Sequence, residues 1–202
     1  MTGIRRYRPE DRAAVEALNE ANRPEVGVLD AGRIDLFARA ATTFDVVEGD
    51  GEIVGLFVGL TEGLDYDSPN YRWFAARHSR FAYVDRIAMH EAVRGTGVAD
   101  DLYRRFFAFA TGTGRPVVCA EVNTVPRNER SLRFHDRLGF HAVSEIAPYG
   151  GDERVVMLER HQNADGPPGE AGRAVDAKLA VRPDQRLGDT TSVEVSRSSE
   201  VP

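Results

Sequence analysis

A glycine-rich turn in the middle of the chain restricts the fold more than any other feature. It reads R-G-T-G-V-A at positions 94–99 and lies between an apolar, strand-like segment at 81–89 and a segment with helical spacing. Glycines at a strand-to-helix turn let the backbone approach a ligand closely, and the first N–H groups of the helix attract a phosphate. The turn therefore indicates an α/β fold with an anion site, although a plain tight turn can have the same composition.

Several better-known sites are excluded. No Gly-Lys-Ser/Thr follows the turn, as a P-loop requires, and no third glycine completes the G-x-G-x-x-G fingerprint of dinucleotide-binding folds. The five histidines show neither H-x-x-x-H nor H-x-H spacing, and the single cysteine, Cys119, cannot supply a thiolate cluster. We therefore expect no metal site, and we interpret Cys119 as a small buried side chain.

The composition describes one globular domain followed by a polar tail. The chain has 202 residues, and positions 163–202 contain no aromatic residue and no sustained apolar period. Such a segment cannot bury enough apolar surface to offset the entropy of ordering it. We therefore expect a folded domain over 1–162 and a disordered tail over 163–202.

Charge and hydropathy exclude two classes of partner. The chain has 32 Asp and Glu against 26 Lys and Arg, a net charge of −6, which opposes broad contact with a nucleic-acid backbone. The longest apolar run spans only 53–60, whereas a transmembrane helix needs about 20 residues. The sequence MTGIRRYRPEDR at the start has no apolar segment of the kind that a secretory signal needs. We therefore expect a cytoplasmic protein that binds neither nucleic acid nor membrane.

The spacing of apolar residues predicts an alternation of strands and helices. We expect strands at 4–7, 43–48, 53–60, 81–89, 117–122, 142–146 and 154–158, and helices at 10–21, 34–41, after the glycine-rich turn, and at 128–138. The segment 61–80 is predicted to be a long loop with a possible helical turn. This order favours a mixed sheet with helices on both faces.

The segment 83–140 resembles the core of the GNAT superfamily of N-acetyltransferases. One motif is the R-x-x-G-x-A turn, and the other is N-E-R-S-L-R-F-H-D-R-L-G-F at 128–140, which is similar to the family signature N-x-x-A-x-x-L-Y-x-x-x-G-F. The order of elements over 1–162 fits the family as well. The resemblance implies an α/β fold with a mixed, mostly antiparallel sheet flanked by helices and a splayed central strand pair, followed here by the disordered C-terminal tail.

The resemblance also implies where acetyl-coenzyme A binds. In the family the backbone of the glycine-rich turn holds the pyrophosphate, the end of the preceding strand pairs with the pantetheine arm, and the start of a later helix faces the coenzyme. Carried over residue by residue, the coenzyme-binding positions are Ile87, Ala88, Met89, Arg94, Gly95, Thr96, Gly97, Val98, Ala99, Asn128, Ser131 and Phe134.

Three side chains are candidates for the proton transfers that amine acetylation needs. Some family members have a base on the strand before the glycine-rich turn, which points to Asp85, and ideal alternation places Asp85 on the same face as Ile87 and Met89. Glu121 lies on the opposing strand near the expected splay. His135 stands where the family commonly has a tyrosine that protonates the leaving thiolate. The alternatives are a structural ion pair for Asp85, a solvated surface carboxylate for Glu121 and a packed core histidine for His135.

Aromatic and acidic residues are concentrated in the segment 61–80. In the family the corresponding segment often borders the acceptor site, and rings with carboxylates suit an amine-bearing substrate. The candidate substrate-binding residues are Tyr66, Tyr71 and Trp73. The same rings could instead pack as a small core that fixes the long loop.

The sequence therefore predicts an N-acetyltransferase that uses acetyl-coenzyme A as acyl donor and no metal. A primary amine would attack the thioester directly in a ternary complex, and the acceptor would be an amine-bearing small molecule or a protein N-terminus. The alternative is a non-catalytic acyl-coenzyme A-binding sensor or regulatory module. GNAT-like domains form several kinds of dimer, so a homodimer is also possible.

Overall fold

A computed structural model of the chain describes residues 2–162, and the tail expected at 163–202 lies outside these residues. The strands are β1 (Thr2–Arg6), β2 (Thr43–Gly49), β3 (Glu52–Thr61), β4 (Ala82–Met89), β5 (Val117–Val125), β6 (His141–Ile146) and β7 (Arg154–His161). The helices are α1 (Arg12–Ala21), α2 (Ala31–Ala40), α3 (Pro69–Ala75), α4 (Val98–Gly112) and α5 (Glu129–Arg137). None of the helices within 2–162 is both long and apolar enough to cross a membrane.

The strands form a single mixed sheet in the order β1-β2-β3-β4-β5-β7-β6. All neighbours are antiparallel except β4 and β5, which are parallel. These two strands pair only at their beginnings, where Ala82 faces Val118 and Tyr83 faces Cys119. Beyond these positions the strands diverge, which confirms the mostly antiparallel sheet and the splayed central pair.

Helices cover both faces of the sheet, and each face has its own apolar core. On one face α1, α2 and α3 contribute side chains such as Phe37 and Phe74. On the other face α4 and α5 contribute side chains such as Phe106. A β-carbon at Gly59 would lie 2.4 Å from a ring carbon of Phe106, so only glycine lets α4 approach β3 this closely. The glycine in this strand therefore sets the position of α4.

The sequence analysis predicted a long loop with a possible helical turn at 61–80, and the structure has the helix α3 within this segment. The hydroxyl oxygen of Ser68 accepts a hydrogen bond from the backbone N–H of Tyr71 at 3.3 Å, and Pro69 occupies the first helical position. A serine cap followed by proline is a recognised helix start. This dipeptide was the available signal, and the helix that it begins carries Asn70 to the functional site.

A bulge in β4 changes the direction of its side chains. The register with β3 skips Asp85, and an extra residue reverses the alternation of the residues beyond it. Asp85 therefore contacts Tyr66 on the face of α1–α3, whereas Ile87 and Met89 pack on the face of α4. The prediction that Asp85 shares a face with Ile87 and Met89 is wrong for this reason.

Candidate active site

A cleft of about 620 Å³ lies at the splay between β4 and β5. Its walls also include the glycine-rich turn, the start of α5 and parts of the loops around 22–28 and 148–153. Most of the predicted coenzyme-binding residues line it, namely Ile87, Met89, Arg94, Gly95, Gly97, Ala99, Asn128, Ser131 and Phe134. The side chains of Ala88, Thr96 and Val98 do not, because Ala88 and Val98 are buried in the two cores and the Thr96 hydroxyl donates to the carbonyl of Val93.

The glycine-rich turn forms one end of the cleft. Gly95 and Gly97 have φ values of 76° and 90°, which disfavour a side chain, and no atom lies within 4 Å of a β-carbon built at either position. Gly97 is the N-cap of α4, so the first backbone N–H groups of the helix have no carbonyl partner within it. The turn thus has the open backbone and the positive helix end that a phosphate group needs.

Charged side chains support this end of the cleft. The guanidinium of Arg94 donates to the carbonyl of Met89 at 3.1 Å and to the side-chain oxygen of Asn22 at 3.1 Å. Asp100, in the first turn of α4, is acidic, but Arg137 donates to it at 3.0 Å and offsets its charge. Arg94 therefore fixes the turn to the end of β4, while the Asp100–Arg137 pair limits repulsion of an anion.

The edge of β4 that faces β5 is open along most of its length. Within the described residues, β4 has partners on this side only at Ala82 and Tyr83, whereas its other edge pairs with β3 as far as Met89. An unpaired strand edge can bind an extended, amide-bearing molecule as an added strand. The cleft therefore combines an anion site at one end with an extended polar edge leading from it.

Glu121 is the carboxylate at the centre of the splay. One of its oxygens accepts hydrogen bonds from the Tyr83 hydroxyl at 2.9 Å and from the Asn70 amide at 3.0 Å. The other oxygen is buried and has no hydrogen-bond partner among residues 2–162. Burial, helped by the negative charge of nearby Asp85, raises the pKa of Glu121 to about 8. Glu121 thus offers an unpaired oxygen that exchanges a proton near neutral pH.

Asp85 is held in a buried ion pair. One oxygen accepts from Nε of Arg86 at 2.8 Å and the other from the Tyr66 hydroxyl at 2.5 Å, and the Asp85 and Arg86 side chains are 3% and 4% exposed. Arg86 also donates to the side-chain oxygen of Asn19 at 2.8 Å. This is the ion pair that the sequence analysis left open as an alternative, and it leaves Asp85 less free than Glu121 to accept a proton.

His135 is buried and uses both of its ring nitrogens. Burial lowers its pKa to about 4, so the ring is neutral at physiological pH. Nδ1 donates to the carbonyl of Ser131 at 2.8 Å, and Nε2 accepts from the Tyr103 hydroxyl at 2.8 Å. His135 therefore has no free proton to give to a leaving group in this arrangement, in agreement with its interpretation as a packed histidine.

Tyr103 lines the cleft beside His135 and was missed by the sequence analysis. It lies on α4 among apolar side chains, and burial raises the pKa of its hydroxyl, which keeps the group protonated. The available signal was a phenol on the buried face of a helix, because a buried hydroxyl needs a polar partner. The hydroxyl bears a proton at the cleft wall, and in the structure it donates this proton to Nε2 of His135.

A profile of the Acetyltransferase (GNAT) family matches residues 11–140. The chain belongs to this family. A search of curated protein sequences found no significant match. As a GNAT protein it has the fold and the order of motifs that the sequence analysis predicted.

Solved structures of N-acetyltransferases are similar in fold. Naa20 of Chaetomium thermophilum, in complex with a bisubstrate analogue, is 21% identical with a TM-score of 0.66, over 81% of this chain and 88% of that one. Ard1 of Thermoplasma volcanium is 21% identical with a TM-score of 0.64, over 79% and 97%. Arabidopsis thaliana Naa50, in complex with the bisubstrate analogue CoA-Ac-MVNAL, is 14% identical with a TM-score of 0.63, over 79% and 97%. At these identities the likeness shows the fold alone.

The aromatic residues of 61–80 divide into two groups in this GNAT protein. Tyr66 lines the cleft. Tyr71 donates to the carbonyl of Thr61 at 2.7 Å, and the Trp73 ring stacks with the Arg77 guanidinium at 3.5 Å, so both lie in the packing of the segment and outside the cleft lining. Because these contacts hold Tyr71 and Trp73 away from the cleft, we leave both out of the acceptor site.

Proposed function

We propose that this acetyltransferase transfers the acetyl group of acetyl-coenzyme A to a primary amine by direct attack in a ternary complex. The observation that carries the proposal is Glu121, a buried carboxyl at the splay with one unpaired oxygen and a pKa raised to about 8. A general base works best when its pKa is close to the operating pH. An amine, which is normally protonated at neutral pH, needs such a base before it can attack.

The cleft fits the donor substrate along its length. The turn at 94–99 would hold the diphosphate through backbone N–H groups, and the open edge of β4 would pair with the pantetheine arm. Ser131 and Phe134 of α5 line the same cleft. This placement brings the thioester to the splay, where Glu121 and Tyr103 lie.

The reaction needs a base for the acceptor and a hydrogen-bond donor for the leaving thiolate, and the cleft has a group for each. The ammonium group of the acceptor loses a proton to Glu121, and its own positive charge favours the ionised carboxylate. The neutral amine then attacks the thioester carbonyl, so a C–N bond forms and the C–S bond breaks. The Tyr103 hydroxyl, whose proton Nε2 of His135 accepts in the structure, would turn to the departing thiolate and donate its hydrogen bond there. The nitrogen loses its second proton to Glu121 after the first has passed to solvent, and the thiolate takes up a proton from solvent, so that one ammonium and one thioester give one amide, one thiol and one proton.

The acceptor is proposed to be a cationic amine, either a small molecule or a protein N-terminus. Two carboxylates, Glu121 and Asp85, line the cleft, and the largely exposed ring of Tyr149 lines it as well. An aromatic ring and carboxylates favour a positively charged group. The cytoplasmic location and the homodimer remain predictions.

The direct test measures acetyl transfer with purified protein, acetyl-coenzyme A and a panel of primary amines and peptides. Release of the free thiol and the mass of the acetylated product are followed together, so that hydrolysis is distinguished from transfer. We expect acceptor-dependent thiol release with one acetyl group added to an amine. Tight coenzyme binding without turnover on any acceptor would instead support the non-catalytic binding module.

Tyr103→Phe tests the donor to the leaving group. Hydrogen bonds to charged groups contribute about 1.5–3 kcal/mol, so loss of this bond in the transition state should lower kcat by about 10- to 100-fold. The affinity for coenzyme A should change little. Tyr71→Phe is the matched control, because it removes another buried hydroxyl that lies outside the cleft lining. A Tyr103→Phe enzyme with the kcat of the parent would remove Tyr103 from the mechanism.

Asp85→Asn tests the buried ion pair. Removing one member of such a pair leaves an uncompensated charge, here Arg86, and we expect a loss of about 3–5 kcal/mol in the free energy of unfolding. The change also removes a charge that raises the pKa of Glu121, so the ascending, acidic limb of the pH–rate profile should move to lower pH. Urea unfolding and pH profiles measure the two effects. Glu20→Gln, in the exposed pair with Arg23, should cost at most about 1 kcal/mol.

A further inference from the structure

A second group of chemically active side chains lies outside the cleft, on the two strands at one edge of the sheet. His141 on β6 stands directly opposite Glu159 on β7, and His161 is two residues further along β7, which places it on the same face. A ring nitrogen of each histidine and an oxygen of Glu159 lie within 4.8 Å of one another. None of the three residues lines the cleft.

The carboxylate of Glu159 is the unusual member of this group. Its side chain is 10% exposed, and its ion-pair partners within residues 2–162 are histidines, with Nε2 of His78 at 2.7 Å and Nε2 of His161 at 3.5 Å. Buried carboxylates are normally paired with a full positive charge or bound to a cation. The structure therefore presents a largely buried negative charge beside imidazole nitrogens.

The two oxygens of Glu159 have different roles. The His78 contact holds one oxygen, while the other points towards His161. A hydrogen bond of this kind fixes the orientation of a metal-binding carboxylate. The rings of His141 and His161 are stacked with centroids 5.5 Å apart, and both side chains are largely exposed, so they can turn without disturbing the core.

We propose that His141, Glu159 and His161 bind a zinc-type divalent transition-metal ion, with His78 positioning the carboxylate. Two imidazoles and one carboxylate form a ligand set that suits Zn²⁺ and leaves a fourth position for water. In tetrahedral coordination with metal–ligand distances of about 2.0–2.2 Å, two ligand atoms lie about 3.4 Å apart, so the exposed rings need to turn until the ligand atoms are up to about 1.4 Å closer than in the structure. Mg²⁺ and Ca²⁺ prefer oxygen ligands and fit poorly here.

Cys119 forms an overlapping group with His78 and Glu159. It is fully buried, however, so an ion bound there would have to enter the core, whereas His141 and His161 are reached from solvent. The expectation of no metal site rested on histidine spacing along the sequence and on the single cysteine. It could not register ligands that two antiparallel strands bring together.

The test uses the untagged full-length chain, stripped of metal by a chelator and then titrated with Zn²⁺ against a chromophoric competitor. We expect one equivalent to bind, binding to be lost in His141→Ala and in His161→Ala, and His78→Ala to weaken it by about 10- to 100-fold. His90→Ala, which removes an exposed histidine elsewhere, and Cys119→Ser should bind as the parent does. Circular dichroism verifies the fold of each variant, and the exposed positions of His141 and His161 favour its retention.

Thermal unfolding gives a second readout that does not depend on enzyme activity. Zn²⁺ that binds only the folded chain must raise Tm, and this rise should be absent in His161→Ala. Undiminished binding by the His141→Ala and His161→Ala variants would overturn the proposal. So would loss of binding in Cys119→Ser alone, which would place the ion at the buried group.

Discussion

Replacing Glu121 by glutamine is expected to lower kcat by about 10²- to 10⁴-fold, the usual contribution of a positioned acid or base. Glutamine has nearly the same shape and keeps an oxygen that can accept from Tyr83, but it cannot take a proton from the acceptor. The affinity for coenzyme A should stay close to that of the parent chain. Glu145→Gln, at an exposed position of β6, is the matched control and should leave kcat unchanged.

The pH dependence of this variant separates a base from a residue that only binds the acceptor. In the parent chain kcat/KM should rise with pH and level off above an apparent pKa near 8, because Glu121 must be ionised in the free enzyme. The amine also titrates, so two acceptors with different amine pKa values are compared. The part of the pH profile that is due to Glu121 should have the same apparent pKa with both acceptors, and it should be absent in Glu121→Gln. A limb that moves with the acceptor in every case would exclude Glu121 as the base.

Stability gives an independent measurement of the same group. The pKa of Glu121 is raised from 4.5 to about 8 on folding, so in this range the folded chain holds a proton that the unfolded chain releases. Its contribution to stability is therefore fully present below about pH 4.5 and is lost as the pH rises towards 8. Glutamine does not titrate. The difference in unfolding free energy between Glu121→Gln and the parent should accordingly grow in favour of the variant from pH 4.5 to 8.

Gly97→Ala should abolish most coenzyme binding. Gly97 has φ of 90° at the N-cap of α4, and a side chain there is strained and projects from the surface where the diphosphate would lie. Loss of even one charge-assisted hydrogen bond to phosphate, about 1.5–3 kcal/mol, weakens binding by at least about tenfold. Isothermal titration with coenzyme A measures this directly, and KM for the acyl donor should rise in parallel.

The control for Gly97→Ala is a substitution at a glycine that has a similar backbone conformation but lies outside the cleft lining. Gly51, in the hairpin between β2 and β3, has φ of 85° and open space around a built β-carbon. Gly51→Ala should therefore cost similar backbone strain and leave coenzyme affinity intact. Equal loss of affinity in both variants would mean that strain, and not the anion site, is responsible. Unchanged affinity in Gly97→Ala would remove the turn from the coenzyme site.

The two sequence motifs predicted much of the fold and many of the residues that line the cleft near the glycine-rich turn. The turn at 94–99 and the segment 128–140 are local patterns. A glycine with positive φ and a capped helix start each depend on only a few adjacent residues. These predictions depended on short stretches of chain. They could therefore be made before any tertiary contact was known.

The remaining features depend on contacts between distant segments. The bulge at Asp85 is a property of the register between β3 and β4, so an ideal alternation could not show it. Asn70 reaches Glu121 from a helix in the segment that was predicted as a long loop with a possible helical turn, and Tyr103 on α4 contacts His135 on α5. The pKa shifts of Glu121 and His135 come mainly from burial, which only the assembled structure shows. The proposal that Glu121 is the base and the interpretation of His135 as a packed residue therefore needed the assembled cleft.

The two register pairs that join β4 to β5 have a mechanical consequence. They join a four-stranded half of the sheet to a three-stranded half. Within each half, every strand is paired with its neighbours. If the acyl donor binds along β4 as proposed, it supplies backbone-like hydrogen bonds to an edge that is unpaired beyond Tyr83 among residues 2–162. The bound donor then strengthens the connection between the two halves of the sheet, and each release of product returns the sheet to its more weakly connected form.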